Sequence, residues 1–526
     1  MQRRAGLVAF LLFTTLTQAV TAGERTQMDA AALAAEIDRF VLEKLKASNV
    51  LPAARADDAA FIRRLNLALG GRIPVSSQVR LFLADPSRDK RAKAIDRLLA
   101  SAAYANYMSA SWRGWLLPEA ATDPAVANTA PAFESWLRRR IRDDQPFDQL
   151  VTELLTYPLN GRTVANQDPD ENGLDSANGV LAFYTAKEGK PENLAAATAR
   201  LFLGVHLECA QCHNHPFGKW SRDQFWGLAA FFGGIERPSA GALRETMGRR
   251  ELLIPNSERA VPATFLDDRE PEWQYKKSPR ATLATWMTGQ DNPFFAKAIV
   301  NRLWWMMFGI GLVDPVDDFH DQNPPSHPEL LSTLARAFID SGFDTKFIVR
   351  AICLSETFGR SSAPGDLDAG SLRLFAYFPM QGLTPEQLYD SLAVLFGQTS
   401  NSRVNDGAFN LGGPRRQFLE TFATSGRLTD NPTTILQALT LMNGGQVGSA
   451  TTKQSGRLLK ALLDLPARNA GERIEGLYFA VLCRAPRSVE LERTLAYLQE
   501  AGTSADQAYG DILWVLLNGI EFRTNH

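Results

Sequence analysis

The sequence predicts a mainly α-helical protein with two largely helical domains and long irregular loops. Three observations support this fold class. Apolar residues recur at helical spacing through most of the chain after residue 30. Gly, Pro and N-capping residues separate the periodic segments. Between about 233 and 275 the helical period gives way to Gly, Pro and charge, which predicts a connecting segment with a short β-hairpin. The expected domains are therefore 30–232 and 276–526.

The N-terminus has the pattern of a secretory signal peptide. Two arginines at positions 3 and 4 precede an apolar stretch from Ala5 to Val20, and small residues follow as far as Ala22. We therefore expect residues 1–22 to be cleaved and the mature protein to lie outside the cytoplasm, in the periplasm or cell envelope. The stretch is shorter than the roughly 20 residues needed to cross a bilayer, so no membrane span is expected in the mature chain. An uncleaved anchor is the alternative.

Composition excludes several classes of protein. Lys plus Arg number 56 and Asp plus Glu number 58, a balance unlike the basic footprint of a nucleic-acid binder. Four cysteines in 526 residues are too few for a disulfide-dense scaffold, so stability has to come from buried apolar surface. The cysteines therefore need an explanation of their own.

In the first domain the periodic segments predict a series of helices that ends beside a Cys/His cluster. Short helices are expected from Ala30 to about Ser111, then one over Phe133–Arg142 and one beginning at Pro146. Residues 158–190, rich in Asn, Gly and Asp, predict a long surface loop. A helix over Glu192–Glu208 follows, and the capping-box pair Ser221 and Gln224 predicts another over Arg222–Phe232.

The second domain is predicted to be helical throughout. Asn292-Pro293 should cap a helix that runs through Phe308, Ser326 with Pro328 should begin one that ends at Gly342, and a third is expected from Asp344 to about Phe358. Thr384 begins a fourth. Further helices are expected at about 432–443, 455–464, 470–483, 487–501 and 505–518.

The most distinctive motif is the pentapeptide from Cys209 to His213. It reads Cys-Ala-Gln-Cys-His, with His206 before it and His215 after it, in a chain that has only four cysteines and six histidines. In c-type haem attachment, two thiols at this spacing form thioethers to haem vinyl groups and the adjacent imidazole ligates the iron. Cys209, Cys212 and His213 are therefore the predicted haem-c site. The predicted export agrees with this chemistry.

Other interpretations of the same cluster remain open. Cys209 and Cys212 could form a disulfide in an oxidising compartment, or remain unligated thiols. A zinc site could combine both thiolates with His213 and either His206 or His215. If haem is bound, the neighbouring histidines are too close in sequence to reach the opposite haem face. The candidates for the sixth iron ligand are His320, His327, Met380 and Met442.

A second candidate metal site lies in a loop between two predicted helices. Its residues are Asp314, Asp317, Asp318 and His320, with Asp321 beside them. A loop this rich in carboxylates suits calcium, and the imidazole would allow a transition metal. The spacing is not that of an EF-hand. The alternative is that these side chains cap helices and face water.

Long stretches of the chain resemble a known pair of domains. The segment NLAAATARLFLGVHLECAQCHNHPF at 193–217, with FWGLAAFF at 225–232, closely resembles the planctomycete cytochrome-like domain of unknown function. Its usual companion domain, also of unknown function, is recognised downstream. The companion's marks are NPFFAKAIVNRLW at 292–304, GLVDPVDDF at 311–319, NPPSHPELL at 323–331, LTPEQL at 383–388 and QALTLMN at 437–443. The resemblance implies this domain order and export.

Together these features predict an exported monohaem c-type protein of the cell envelope that acts in electron transfer or another redox reaction with an unidentified redox partner. The alternative is a non-redox helical binding or scaffold protein of the envelope, in which the cluster is a zinc or disulfide staple. A third hypothesis is a hydrolytic or carbohydrate-processing enzyme with its metal in the 314–327 loop. The usual hydrolase and dinucleotide-binding motifs are absent from the sequence.

Overall fold

The computed structural model describes residues 28–159, 176–215, 218–237, 243–363, 365, 369–397, 413–423, 429, 435–465 and 469–526. The predicted signal peptide, 1–22, lies outside the described residues. Helices make up most of the fold, which confirms the mainly α class. No helix in these ranges combines the length and apolarity needed to cross a membrane.

Ten helices described before residue 232 form the first half of the fold. They are α1 (Ala30–Ala47), α2 (Asp58–Gly70), α3 (Ser76–Ala84), α4 (Lys90–Leu99), α5 (Ala102–Leu116), α6 (Pro124–Arg142), α7 (Phe147–Thr156), α8 (Ser176–Ala186), α9 (Pro191–Thr198) and α10 (Arg222–Ala230). A π-helical turn over Ala199–Leu203 continues α9, and 3-10 turns cover Pro118–Ala121 and Glu208–Gln211.

The second half is also helical wherever it is described. Its helices are α11 (Pro279–Met287), α12 (Phe295–Phe308), α13 (Pro328–Asp340), α14 (Thr345–Leu354), α15 (Glu356–Gly359), α16 (Pro385–Phe396), α17 (Pro414–Phe422), α18 (Ile435–Asn443), α19 (Gly445–Ala450), α20 (Arg457–Leu463), α21 (Ala470–Val481), α22 (Ser488–Glu500), α23 (Ala505–Asn518) and α24 (Ile520–Arg523). A 3-10 turn covers Ala369–Leu374.

The strands of the described residues are short and pair antiparallel, two by two. β1 (Ile235–Glu236) pairs with β2 (Arg244–Glu245), and β3 (Glu251–Leu253) pairs with β4 (Ala260–Pro262). The predicted hairpin between 233 and 275 is therefore confirmed, and the segment contains two such pairs. β5 (Gln381–Gly382) pairs with β6 (Thr524–Asn525) near the C-terminus.

Buried apolar side chains from both halves form one continuous cluster. α1 shows how the halves meet: Leu33, Ile37 and Val41 form a fully buried stripe at helical spacing, and the helix packs against α13 and α14 from the second half. The division into two domains at 233–275 stays a prediction.

Two predicted elements need correction. The surface loop expected over 158–190 is wrong for Ser176–Ala186, which is helix α8 with Phe183 and Tyr184 fully buried. The apolar run after Gly179 overrides the Asn- and Gly-rich composition of the wider segment. Residues 160–175 lie outside the described residues. The helix expected over Glu192–Glu208 is shorter than predicted, because the chain leaves the helix after Leu203.

Capping explains why the helices around the site begin where they do. Ser221 and Gln224 form the predicted capping box of α10, each side chain bonded to the other residue's backbone N–H. The Asn292 carboxamide accepts hydrogen bonds from the backbone N–H groups of Phe294 and Phe295 at 2.9 and 3.0 Å, at the start of α12. These two helices carry the groups that hold the candidate site.

Candidate functional site

The segment that carries the cysteine motif begins where the π-helical turn after α9 ends. Gly204 stops the π-helical turn with φ of 69°, a left-handed conformation that favours glycine. Its carbonyl oxygen accepts a hydrogen bond of 2.9 Å from the backbone N–H of Phe319. A Cβ atom at Gly204 would lie 2.7 Å from the Phe319 ring, so the backbone here is in direct contact with the loop after α12.

The motif forms a 3-10 turn that presents both thiols to solvent. Ala210, between the cysteines, is fully buried and fixes the inner side of the turn. Cys209 and Cys212 are both exposed and free. The other two cysteines, Cys353 and Cys483, are buried. The chain therefore separates two accessible thiols from two that sit in the core.

Helix α10 and the residues just before it support the motif segment through hydrogen bonds. The Trp226 indole N–H donates to the Gln211 carbonyl at 3.1 Å, and the backbone N–H of Arg222 donates to the Asn214 side-chain oxygen at 3.0 Å. The backbone N–H of His215 donates to the Trp220 carbonyl at 2.8 Å. The turn is thus fixed through its backbone, while its reactive side chains stay free.

His213 is exposed, and a hydrogen bond to the backbone orients its ring. Its Nδ1 lies 2.8 Å from the backbone carbonyl oxygen of Asn214. A carbonyl oxygen only accepts, so His213 Nδ1 donates this bond, and in the neutral ring the lone pair lies on Nε2. Metal-ligating imidazoles commonly have this arrangement, with the second nitrogen bonded to a carbonyl group.

His206 is held between two carboxylates. Its Nε2 lies 3.0 Å from the Asp317 carboxylate and its Nδ1 lies 3.6 Å from the Glu208 carboxylate. The hydrogen bond that His206 donates to Asp317, helped by its interaction with Glu208, raises the pKa of His206 to about 10. His206 is therefore an imidazolium at neutral pH, with no lone pair to offer a metal.

His215 is also committed to the backbone. Its Nδ1 accepts a hydrogen bond of 2.8 Å from the N–H of Gly218. Burial, with a contribution from nearby His320, lowers the pKa of His215, so the ring is neutral with its proton on Nε2. His215 therefore presents a donor and not a lone pair at its outer nitrogen.

The acidic loop after α12 is shaped by one buried amide. Asn301 is completely buried, and its side-chain amide donates to the carbonyl oxygens of Val313 and Val316 at 2.9 Å each. Its oxygen accepts from the backbone N–H of Val313 at 3.0 Å. These three bonds fix the loop that places Asp317 against His206.

The other predicted residues of the loop take different positions. Asp314 is buried, and Asp318 lies 3.4 Å from His320 Nε2. His320 Nδ1 accepts a hydrogen bond from the N–H of Gln322 at 3.2 Å, and Asp321 is exposed. Within the described ranges, no three Cys, His, Asp or Glu side chains are gathered so that they could hold a metal ion. The metal site in this loop stays a prediction.

The structure unites what the sequence treated as two separate sites. The cysteine motif and the acidic loop meet through the Gly204–Phe319 and His206–Asp317 contacts. Of the candidate sixth ligands, only His320 belongs to this loop. His327 is buried against Phe375, with its Nδ1 3.0 Å from the Ser326 hydroxyl oxygen. Met380 and Met442 are partly exposed on the second half of the chain.

Sequence reasoning missed two residues of α12 that shape the site, Asn301 and Arg302. Both lie in a helix whose other residues are almost all apolar, and both are buried. Arg302 lies 3.7 Å from the Asp317 carboxylate. The available signal in the sequence was a pair of adjacent polar residues inside a largely apolar helix, since buried polar groups normally have a specific partner.

Comparison with known families supports the domain order. Residues 36–237 match PSCyt2, a protein of unknown function (DUF1549), and residues 279–419 match PSD1, a protein of unknown function (DUF1553). The chain belongs to the proteins that carry this usual pair of domains. No curated protein and no solved structure matches the chain.

The two matched domains meet at the candidate site. The cysteine motif lies within the PSCyt2 match, whereas the acidic loop and α12 lie within the PSD1 match. The His206–Asp317 pair therefore joins one domain to the other. We call the motif turn 206–215 together with the acidic loop 313–320 and Arg302 the composite site.

Proposed function

We propose that this protein is an exported c-type haem protein of the cell envelope, with one haem attached at Cys209 and Cys212 and ligated by His213. The observation that carries the proposal is the state of the motif itself. Both thiols are exposed and free, and the hydrogen bond from His213 Nδ1 to a carbonyl leaves Nε2 available to iron.

The same geometry favours haem over a zinc staple. A tetrahedral zinc site here would need two thiolates and two imidazoles, and the second imidazole would be His206 or His215. His206 is an imidazolium between two carboxylates, and His215 directs a protonated nitrogen outward. Haem attachment needs only the one imidazole that is free.

Each residue of the motif has a separate role in the proposed attachment. Each thiol would add across a haem vinyl group, so that a C–S bond forms and the thiol proton passes to the other vinyl carbon. The fixed backbone of the turn would hold both sulfurs and the imidazole in one orientation. The haem, when bound, supplies a one-electron iron couple.

The surroundings suit an electron-transfer or other redox role. The motif lies at the surface, where one edge of an attached group would be reachable by a redox partner. The imidazolium of His206 and the carboxylates of Asp317 and Glu208 provide fixed charges beside it. Export, expected from residues 1–22, would bring the chain to the compartment where haem is attached to such motifs.

The test is expression with its signal sequence in a host that has haem-c maturation machinery. We expect the wild-type protein to show a Soret band and to keep its haem after acid–acetone extraction. The Cys209→Ala, Cys212→Ala double variant should be colourless. Cys353→Ala is the matched control, because that thiol is buried away from the motif, and it should keep full haem content.

Two other outcomes would replace the proposal. A colourless wild-type protein with about one equivalent of zinc would support the staple hypothesis. A colourless protein that lacks two free thiols would support a disulfide. His213→Ala adds a sharper probe, since the loss of the axial imidazole should change the spin state of the iron even where the thioethers form.

A further inference from the structure

Most of helix α1 lies within the PSCyt2 match, yet the helix packs against the second half of the chain. The match begins at residue 36, and the main packing partners of α1 are α13, α14 and α15, all of which begin at Pro328 or later. The buried stripe of α1, formed by Leu33, Ile37 and Val41, is therefore covered by the second half. Removal of that half would expose the stripe to water, which is unfavourable.

The side chain of Asp38, on the same helix, stabilises the start of a helix in the second half. Its carboxylate accepts hydrogen bonds of 2.8 Å from the backbone N–H groups of Glu356 and Thr357, the first two residues of α15. It also accepts one of 2.7 Å from the Thr357 hydroxyl. The first N–H groups of a helix have no partner within that helix, so a carboxylate here is favourable. A helix of the PSD1 match thus depends on a side chain of the PSCyt2 match.

The connection between α1 and α2 continues this contact through its backbone. The N–H of Ala56 donates to the carbonyl oxygen of Gly359 at 2.8 Å. In the opposite direction, the N–H of Ser361 donates to the carbonyl oxygen of Ala54 at 2.7 Å. Such pairing satisfies backbone groups of both halves at once, as hydrogen bonding does inside a single domain.

Arg63 and Arg64, adjacent residues of α2, extend the contact into the core, and both are fully buried. Arg63 donates at 2.8 to 3.3 Å to the backbone carbonyl oxygens of Val481, Glu521, Phe522 and Thr524. Arg64 donates to the carbonyl oxygens of Phe358 and Arg360, the second at 2.8 Å. Its guanidinium carbon also lies 3.7 Å from the centre of the Phe378 ring. These acceptors lie between 294 and 461 positions later in the chain.

The two guanidiniums bind the main chain of the second half. Hydrogen bonds from a charged donor are stronger than those between neutral groups. A backbone carbonyl is the same for every residue type, so the course of the main chain decides which segment fits these donors. Residues 358–360 lie in the PSD1 match, and residues 481–524 lie beyond both matches. The PSCyt2 match is therefore completed by two later parts of the chain.

We propose that α1, residues 53–56 and α2 form an interaction surface for the second half of this same chain. Arg63 and Arg64 bind that half by its backbone carbonyl oxygens, and the two matched domains consequently fold as one cooperative unit. The inference is independent of haem. It places the composite site between two parts of one unit, so the His206–Asp317 contact is already formed in the folded chain and needs no closure of one domain on the other.

The experiment cuts the full chain between its halves. A recognition sequence for a site-specific protease is inserted at Asn256, in the exposed turn between β3 and β4, and the cut protein is followed by size-exclusion chromatography on dilution. The wild-type halves should elute together, and the uncut protein should unfold in one calorimetric transition. Arg63→Met and Arg64→Met remove the donors but keep a long side chain. Each should raise the concentration at which the halves separate by at least about tenfold, the equivalent of one lost charged hydrogen bond.

The matched control is Arg55→Met, because Arg55 lies on the same surface with 57% of its side chain exposed, and it should shift that concentration by less than about twofold. Circular dichroism shows whether each variant folds. Asp38→Ala, at a partly exposed position, serves where an arginine variant does not fold, and it should also promote separation. Two unfolding transitions in the uncut wild-type protein, or halves that separate as soon as the chain is cut, would overturn the single unit. Effects of Arg63→Met and Arg64→Met no larger than that of Arg55→Met would overturn the role of these two arginines.

Discussion

The two segments that meet at the composite site use polar side chains in opposite ways. In the motif turn the backbone is fixed by α10, and Cys209, Cys212 and His213 are exposed with their reactive atoms free. In the acidic loop the backbone is fixed by Asn301, and Asp317 is bonded to His206. Hydrogen bonds support the backbone of both segments, and the first presents exposed thiols and an exposed imidazole.

This difference shows why a group of carboxylates close together in sequence is a poor guide to a metal site. The acidic loop has more carboxylates, but Asp317 neutralises a neighbouring imidazolium and so serves the motif turn. The motif turn has a single carboxylate, Glu208, and its thiols and imidazole are exposed on a backbone that hydrogen bonds support. A binding site is recognised by side-chain atoms that remain available to a ligand, and by the hydrogen bonds that fix the backbone carrying those side chains.

The largest effect on stability is expected where the acidic loop is fixed. Asn301→Ala removes three hydrogen bonds and leaves buried backbone groups of the loop unsatisfied, so it should lower the free energy of unfolding by about 3 kcal/mol. Asn323→Ala is the control, since Asn323 makes one bond at a partly buried position, and should cost about 1 kcal/mol. Denaturant unfolding measures both, and equal losses would show that Asn301 does not organise the loop.

The contact between the two segments gives the next effect. Gly204→Ala places a Cβ atom 2.7 Å from the Phe319 ring in a left-handed backbone, so it should cost about 2 to 3 kcal/mol. Gly342→Ala tests backbone strain alone, because φ there is 70° with open space around the Cβ position, and should cost about 1 kcal/mol. Thermal unfolding measures the stability of both variants, and the difference between their losses gives the contribution of the contact with Phe319. A Gly204→Ala loss no larger than that of Gly342→Ala would mean that the segments do not press together.

The His206–Asp317 pair predicts a pH-dependent effect of about 1 kcal/mol, since solvent screens this partly exposed pair. The pKa of His206 is raised in the folded state to about 10, so its stabilisation is fully present below the unfolded-state value near 6.5 and is lost as pH rises toward 10. The difference in stability between wild type and Asp317→Asn should therefore be largest near pH 6 and close by about pH 10. Stability curves at several pH values, with a nuclear magnetic resonance titration of the His206 ring, measure it. A difference that grows with pH would contradict the pairing.

The smallest effect is expected in the motif turn. Cys209→Ala and Cys212→Ala should each change the stability of the haem-free protein by less than about 0.5 kcal/mol, because both side chains are exposed. Cys353→Ala should cost about 1 to 2 kcal/mol, because its thiol is buried beside Met307. Thermal unfolding of the three variants makes the comparison. A large loss on removal of either motif thiol would assign it a structural role.

Much of the fold follows from local sequence patterns. The capping boxes at Ser221 and Thr384 begin helices as predicted, and the C-terminal helices lie within a few residues of their expected bounds. Helix α8 was missed because its apolar run follows a long polar stretch, and composition averaged over that stretch hid the period. Where local signals agree with packing, sequence is sufficient.

The candidate site was predicted only in part, for a physical reason. The motif residues are contiguous, so their spacing carries the chemistry. The contact of His206 with Asp317 spans more than one hundred residues, and only the folded chain brings them together.

The most direct test of the central claim is the mass of the peptide that contains Cys209. The wild-type protein, matured in a host that attaches haem c, is digested with a protease and the peptide is analysed by mass spectrometry. The account predicts one haem on that peptide, bound through both thiols, and none on the peptides that contain Cys353 or Cys483. An unmodified peptide from the matured protein would contradict it.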